Sequence, residues 1–392
     1  MPINVDRFER MAGEVMKVYQ DAEATMLKNI SAKLYADPYT GRWAEKKYAE
    51  MRNVNKAMQS FVGKLHSDRT DLQEEIIRKA YSMSGQEFLK DGAQFAELAG
   101  IKSVTPNATK VVNIISDLSN RLDVADRHIL RAANDAYADI VGRTAALVAT
   151  GTVTVRDAVK RELEDFSAHG IASFTDSAGR HWDMETYAEM ATLTAIERAT
   201  IEGYTDAMEE FGFDLAEISS HYGACPICEA WEGVIVSVSG ETHGYPSLDD
   251  AYNAGVFHPR CLHDISTYYE GISRGANRTT PRPVQDQPNF GYAARAQQRS
   301  YERMERQWKR RMAVAETPEE ERKAYAHAKM YERRIDDLIR GYNLATGDED
   351  YLYRKKYRMG PDVKLSPEAE KVKYALPGSL RTYKVDIEKL KR

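Results

Sequence analysis

Cys225, Cys228 and Cys261 are the only three cysteines of a 392-residue chain, and they fall in two short motifs. Cys225-Pro226-Ile227-Cys228 puts two residues between its thiols. After 29 intervening residues, His258-Pro259-Arg260-Cys261 puts two between an imidazole and a thiol, and His263 follows two positions on. Such spacing lets a tight turn aim both side chains at one ion, as in zinc knuckles and ribbons. Brought together, the pairs supply Cys225, Cys228, His258 and Cys261, a closed tetrahedral set, with His263 as the alternative imidazole. Thiolate and imidazole donors favour Zn²⁺ over harder cations. Four protein ligands leave no position for water or substrate, so the expected cofactor is a structural zinc whose binding contributes directly to folding. The alternative reading is that the free cysteines pack as small hydrophobes while His258 caps a turn. An odd number of cysteines argues against a disulfide framework.

Catalytic readings of the cluster lack their companions. A zinc deaminase needs His-x-Glu ahead of a Pro-Cys-x-x-Cys pair; here Pro226 lies inside the pair and no His-x-Glu precedes it. His-Glu-x-x-His, the metalloprotease signature, is absent. Cys261 has His258 and His263 close in sequence, but a nucleophile needs a base positioned by the fold. His221 and His243 have no ligand spacing to a cysteine. The expectation is a protein that is not an enzyme.

A second constellation is basic. Arg295, Arg299, Arg303, Arg306 and Arg310 recur at intervals of four, four, three and four, which aligns them on one face of a helix. Lys309 and Arg311 add to it, and Tyr292, Tyr301 and Trp308 interleave. Guanidinium groups bind phosphate strongly and release counterions from nucleic acid. The same face could dock on an acidic protein surface, or stay solvated with Glu302 and Glu305 pairing at helical spacing. The overall net charge of −5 hides a polarity: residues 271–392 carry 28 Lys and Arg against 18 Asp and Glu, whereas residues 1–270 carry 27 against 42. Such polarity is expected of two parts that face different partners, with nucleic acid or an acidic protein surface for the basic one, or of a solvated helical tail.

The elements that position these groups follow from periodicity. Residues 1–165 read as a helical N-terminal region. Leu118, Leu122, Ala125, Ile129, Ala132, Ala136 and Ile140 form one apolar stripe. Thr154 with Asp157 resembles a capping box, and Gly170 suits a helix end. Asp183 caps a further helix that Gly212 closes. After Gly212 the pattern changes to short strands around Leu215 and Val234–Val238, flanking the first cysteine pair. Residues 166–270 thus read as a small α+β module carrying both motifs. The segment 271–290, with three prolines, reads as a linker. Residues 291–392 form a basic helical region, interrupted near Thr317-Pro318, with an extended tail. The fold class is mainly α. The opening residues do not read as a secretory leader, and no run of about 18 apolar residues marks a membrane span.

From Arg180 to Tyr269 the chain resembles the phage minor capsid, or head-morphogenesis, proteins related to the F protein of phage Mu. The resemblance rests on GRHWDMETYAEMATLTAIERAT, ACPICEAWEGVIVSVSG and YPSLDDAYNAGVFHPRCLHDISTYY. The carried positions are Cys225, Cys228, Trp231, Gly233, His258, Pro259 and Cys261; His263 stands where relatives often have a further cysteine. The resemblance implies a structural virion protein of a tailed phage head, made in the host cytoplasm. It would act with the portal, the major capsid protein and scaffold proteins during prohead assembly, and packaged DNA would be a candidate contact of the basic helix. A nucleic-acid-binding protein built on the zinc knuckle is the competing reading.

Overall fold

Apolar residues repeating every three or four positions build four long helices into one bundle. In α1 (Val5–Tyr35) the buried series is Met11, Val15, Tyr19, Ala22, Met26 and Ile30. It packs against α2 (Trp43–Asp91), α3 (Ala108–Ala149) and α5 (Met184–Glu210), with the shorter α4 (Val155–His169) covering one side. The structure, a computed structural model, describes residues 5–36, 42–92, 105–170, 174–175, 179, 181–220, 224–259, 261–273, 290–347, 352–354, 360–361 and 363–381. The stripe expected in α3 faces the core at Leu118, Leu122, Ala125, Ile129, Ala136 and Ile140, with Ala132 half-buried. The caps expected from sequence form as well. Thr154 Oγ1 accepts from the Asp157 N–H at 3.1 Å, and Asp183 accepts from the Thr186 N–H at 2.7 Å. The chain is mainly α, with, among the described residues, one small three-stranded sheet and one short two-stranded pairing, Phe174–Thr175 (β1) with His181–Trp182 (β2).

Helices α2 and α5 approach closely enough that one position between them must lack a side chain. A Cβ on Gly203 would lie 2.5 Å from the backbone oxygen of Tyr81 and 3.2 Å from its Cα. Backbone cannot swing aside as a side chain can, so the helices would have to separate. Gly203→Ala is therefore expected to destabilise by about 1–3 kcal/mol, despite alanine's better helix propensity of about 1 kcal/mol. Gly63→Ala, on an exposed turn of α2 with nothing within 4 Å, should instead gain a few tenths to about 1 kcal/mol. Thermal unfolding of the two variants side by side checks the pair of signs; equal shifts would sink the close-packing argument.

The same two helices carry a second apolar cluster. Phe88 near the end of α2 meets Tyr204 and Phe211 edge-on, at ring separations of 5.6 and 5.0 Å. Against them packs a sheet of three strands, β4 (Ile235–Ser237), β3 (Leu215–Ile218) and β5 (Ile265–Thr267), in that order. Tyr204 ties helix to sheet, its hydroxyl accepting from the Thr267 N–H at 3.1 Å. Residues of α5 thus serve both clusters: Met184 to Ala199 in the bundle, Ile201 to Met208 beneath the sheet.

The C-terminal part is a helical hairpin, α8 (Phe290–Ala313) and α9 (Pro318–Thr346). Thr317 caps α9 and Pro318 occupies its first turn, where a missing N–H costs nothing. Trp308 stacks on His327 at 4.0 Å to join the two helices. Of the expected linker 271–290, residues 274–289 lie outside the described residues.

Candidate metal centre

Strand register brings the two motifs together. β3 is the central strand, and both neighbours run antiparallel to it: Glu217 pairs with Ile235 and Ile218 with Ile265. The end of β3 therefore lies beside the beginnings of β4 and β5. The first cysteine pair falls in the connection that leaves β3 for β4, and the His-Pro-Arg-Cys segment, which follows the short α7 (Leu248–Asn253), ends just before β5. Motifs separated by 29 residues in sequence must therefore converge on one end of the sheet.

Local geometry then aims the side chains. Cys225 caps the single turn α6 (Pro226–Glu229), with its Sγ 3.5 Å from the Cys228 N–H. Proline at the first position of that turn sacrifices no hydrogen bond. The knuckle closes through the Trp231 N–H to the Cys228 carbonyl at 2.9 Å. Gly233 follows at φ 71, a left-handed position that glycine occupies without steric cost. On the other side, Phe257 holds φ 57, uncommon for a bulky residue, immediately before His258. The Cys261 N–H bonds back to the His258 carbonyl at 2.8 Å, completing a second tight turn.

All five sequence-predicted donors meet here, in two overlapping triads: Cys225, Cys228 and His258, and Cys228, Cys261 and His263. Within each triad the donor atoms lie within 4.8 Å of one another. Cys228 and Cys261 approach to 3.7 Å between sulfurs. Zinc–sulfur bonds of 2.3 Å in a tetrahedron give an edge of about 3.8 Å, so this separation fits a shared ion. Cys225 Sγ lies 3.2 Å from His258 Nε2, and Cys261 Sγ 3.3 Å from His263 Nδ1. Each imidazole is oriented through its other nitrogen, His258 by the Pro259 carbonyl at 3.0 Å and His263 by Glu232 at 3.0 Å. Orientation of a ring by a carbonyl or carboxylate is the arrangement that metal-ligating histidines use.

Electrostatics divides the thiols. Burial alone would raise Cys225, but the Cys228 N–H and His258 outweigh it and hold this thiol below its ordinary value. Cys261 is pushed up to about 12 by its contact with Cys228 and by burial. Burial would lower His263, yet Cys261 and Glu232 lift it to about 9. His258 is raised too, with the Pro259 carbonyl and Cys225 outweighing burial.

Two residues of the site had no motif to announce them. Glu232 orients His263, and Glu197 on α5 is brought against Cys261, its carboxyl raised well above the usual range by burial and by that sulfur. Glu197 Oε1 has no hydrogen-bond partner among the described residues. Its signal was a carboxylate on the apolar stripe of a helix, beside Leu193, Ile196, Thr200 and Tyr204. A third clustering, His66 with Asp123 and Asp126, already holds a cation: Arg69 pairs with both carboxylates, at 2.7 Å from Asp126.

The basic stripe keeps one face of the helix, but most of that face is turned away from solvent. Arg306 is 6% exposed and pairs with Glu185 at 3.1 Å. Arg310 reaches Glu23 at 3.4 Å and donates from Nε to the Ser167 carbonyl at 3.0 Å, near the C-terminal end of α4, where the helix dipole favours a cation. Both residues bind α8 to the bundle, so within the chain these two expected nucleic-acid or partner contacts are turned inward. Arg295 and Arg299 are half-buried, and only Arg303 of the five is exposed. Glu305 is buried and pairs with Lys309 at 3.2 Å, as helical spacing suggested.

Long packed helices thus carry a small sheet whose end gathers the cysteines and histidines. The chain belongs to the phage minor capsid protein 2 family, which matches residues 3–340. It is similar to a "Structural protein" of Lactococcus phage LL-H, at 25% identity over 297 residues, covering 70% of this chain and 77% of that protein. No solved structure matches it. Among the described residues, no helix is long and apolar enough to cross a membrane.

Proposed function

We propose that this phage minor capsid protein is a virion component of the head, placed at the portal during prohead assembly and contacting the portal together with major capsid or scaffold proteins. The observation that carries the reading is the family match, which runs through the helical bundle and the hairpin as well as the cysteine module. The sequence polarity supports two-sided contact, an acidic bundle and a basic C-terminal part offering different faces to different partners.

We further propose that Cys225, Cys228 and Cys261 hold one structural Zn²⁺ with His258 or His263. The ion would tie the beginnings of β4 and β5 to one point and so make a sheet of ten paired residues rigid enough to brace α2 and α5. Metal-bound folding free energy is the usual means by which so small a unit becomes stable.

Co-purification with the portal protein, and detection in proheads and in mature virions, tests the assembly role. Absence from purified proheads and virions alike would remove it, whatever the metal content.

A further inference from the structure

Removal of Arg306 and Arg310 from the solvent leaves the positive charge of the C-terminal region in search of an outlet, and α9 provides one. Arg322, Tyr325, Lys329 and Arg333 recur at three- and four-residue spacing, so they share one face of that helix. Together with Tyr374 from the segment that follows Pro367–Glu370 (α10), they line a groove of about 530 Å³ whose wall, among the described residues, holds no carboxylate. Tyr374 is held in place by His327, whose Nε2 lies 3.3 Å from its hydroxyl, and His327 is itself stacked on Trp308. The Tyr325 ring lies between two cations, with the Arg322 guanidinium and the Lys329 ammonium each 5.8 Å from its centre. Lys329 also pairs with Glu332 at 2.5 Å, whereas Arg322 and Arg333 have no carboxylate partner among the described residues.

We infer that this groove binds a nucleic-acid strand, with Arg322 and Arg333 on phosphates and Tyr325 and Tyr374 against bases or sugars. From Arg322 to Arg333 the helix rises about 16 Å, enough for several nucleotides. Cations alone would fit an acidic protein equally well. Aromatic faces interleaved with cations are what a strand with stackable bases needs, and two tyrosines line this groove. The inference goes beyond the proposed assembly role by giving the chain a nucleic-acid contact of its own. It is tested on the isolated chain, so its failure would leave the assembly role standing.

The full chain is titrated against a fluorescein-labelled single strand of 20 nucleotides and a labelled duplex of 20 base pairs, by anisotropy between 50 and 200 mM NaCl. Arg322→Glu/Arg333→Glu should weaken binding at least about tenfold and make the salt slope shallower by about 1.4 for the single strand or 1.8 for the duplex. Arg322→Gln/Arg333→Gln should act in the same direction and guards against a fold defect from charge reversal. Tyr325→Ala/Tyr374→Ala should cost the single strand about tenfold and Tyr→Phe at both positions should not, while the duplex should be less affected. Arg52→Glu/Lys56→Glu, on exposed positions of α2, should leave affinity within about twofold. Unchanged binding in the two arginine variants overturns the inference. So does equal loss in the α2 variant, which would mean diffuse charge. Polyglutamate binding as tightly as the oligonucleotides, and sensitive to the same variants, would mean an acidic protein partner.

Discussion

Cys228→Ser should strip the purified chain of its metal, from about one zinc per molecule to fewer than about 0.2. It is also expected to abolish cooperative unfolding of the segment around the small sheet. Cys228 is the choice because its sulfur belongs to both donor triads, lies 3.7 Å from Cys261 and is almost wholly buried. Whichever imidazole completes the set, this thiolate is needed. Structural zinc contributes on the order of 10 kcal/mol to the folding of small modules, so the loss exceeds that of any single core truncation. The two candidate histidines then separate cleanly. If His263 is the ligand, His263→Ala loses the ion, His258→Ala retains it, and Glu232→Gln lowers zinc affinity about 10- to 100-fold by releasing the ring. If His258 is the ligand, the outcomes of the two alanine variants exchange and Glu232→Gln is silent. Zinc per chain, measured after purification without chelator, and melting with and without a chelator read all of these. A wild-type chain that carries no zinc and melts unchanged under chelation would leave the cysteines as small hydrophobes.

The sequence exposed the donors more clearly than the way they are assembled. Spacing picked out all five, because two residues between ligands is a local property of the chain. Their convergence depends on β5, three residues long, whose pairing with β3 could not be read from periodicity over so short a run. Glu232 and Glu197 escaped for a related reason: their roles exist only once separate segments meet. Helix ends were legible because caps are local, as Thr154, Asp183 and Thr317 each show by accepting an N–H three residues on. The arginine stripe was visible as a stripe. Its direction was not, because helical spacing places five guanidiniums within an arc of about 80° without saying what the arc faces. Glu185 and Glu23, which engage Arg306 and Arg310, come from helices more than a hundred residues away.

The largest effect expected away from the cysteines is at Arg69. The side chain is fully buried, donating from Nε to Asp126 at 2.9 Å and from Nη1 to Gln73 at 3.0 Å while also pairing with Asp123; Asp126 in turn accepts from the Tyr19 hydroxyl at 3.0 Å. One guanidinium thus joins α1, α2 and α3. Burial and the neighbouring Asp126 raise Tyr19 well above its ordinary value, so it remains a phenol and a donor. Arg69→Ala leaves the Asp126 carboxylate, 4% exposed, without its compensating charge. Breaking one side of a buried pair costs about 3–5 kcal/mol. Much of that is the penalty on the abandoned partner, so removing the partner should recover most of it. The combination Arg69→Met, Asp126→Leu and Tyr19→Phe replaces the polar group by apolar atoms of similar volume, and such exchanges are often neutral or stabilising by about 1–4 kcal/mol. The single variant should therefore melt well below the triple one. Faster hydrogen exchange should extend through the facing turns of all three helices, because the guanidinium bonds to side chains on two of them. A loss below about 1 kcal/mol in Arg69→Ala, the range of an exposed pair, would mean that water reaches Asp126 and that the bundle does not depend on this knot.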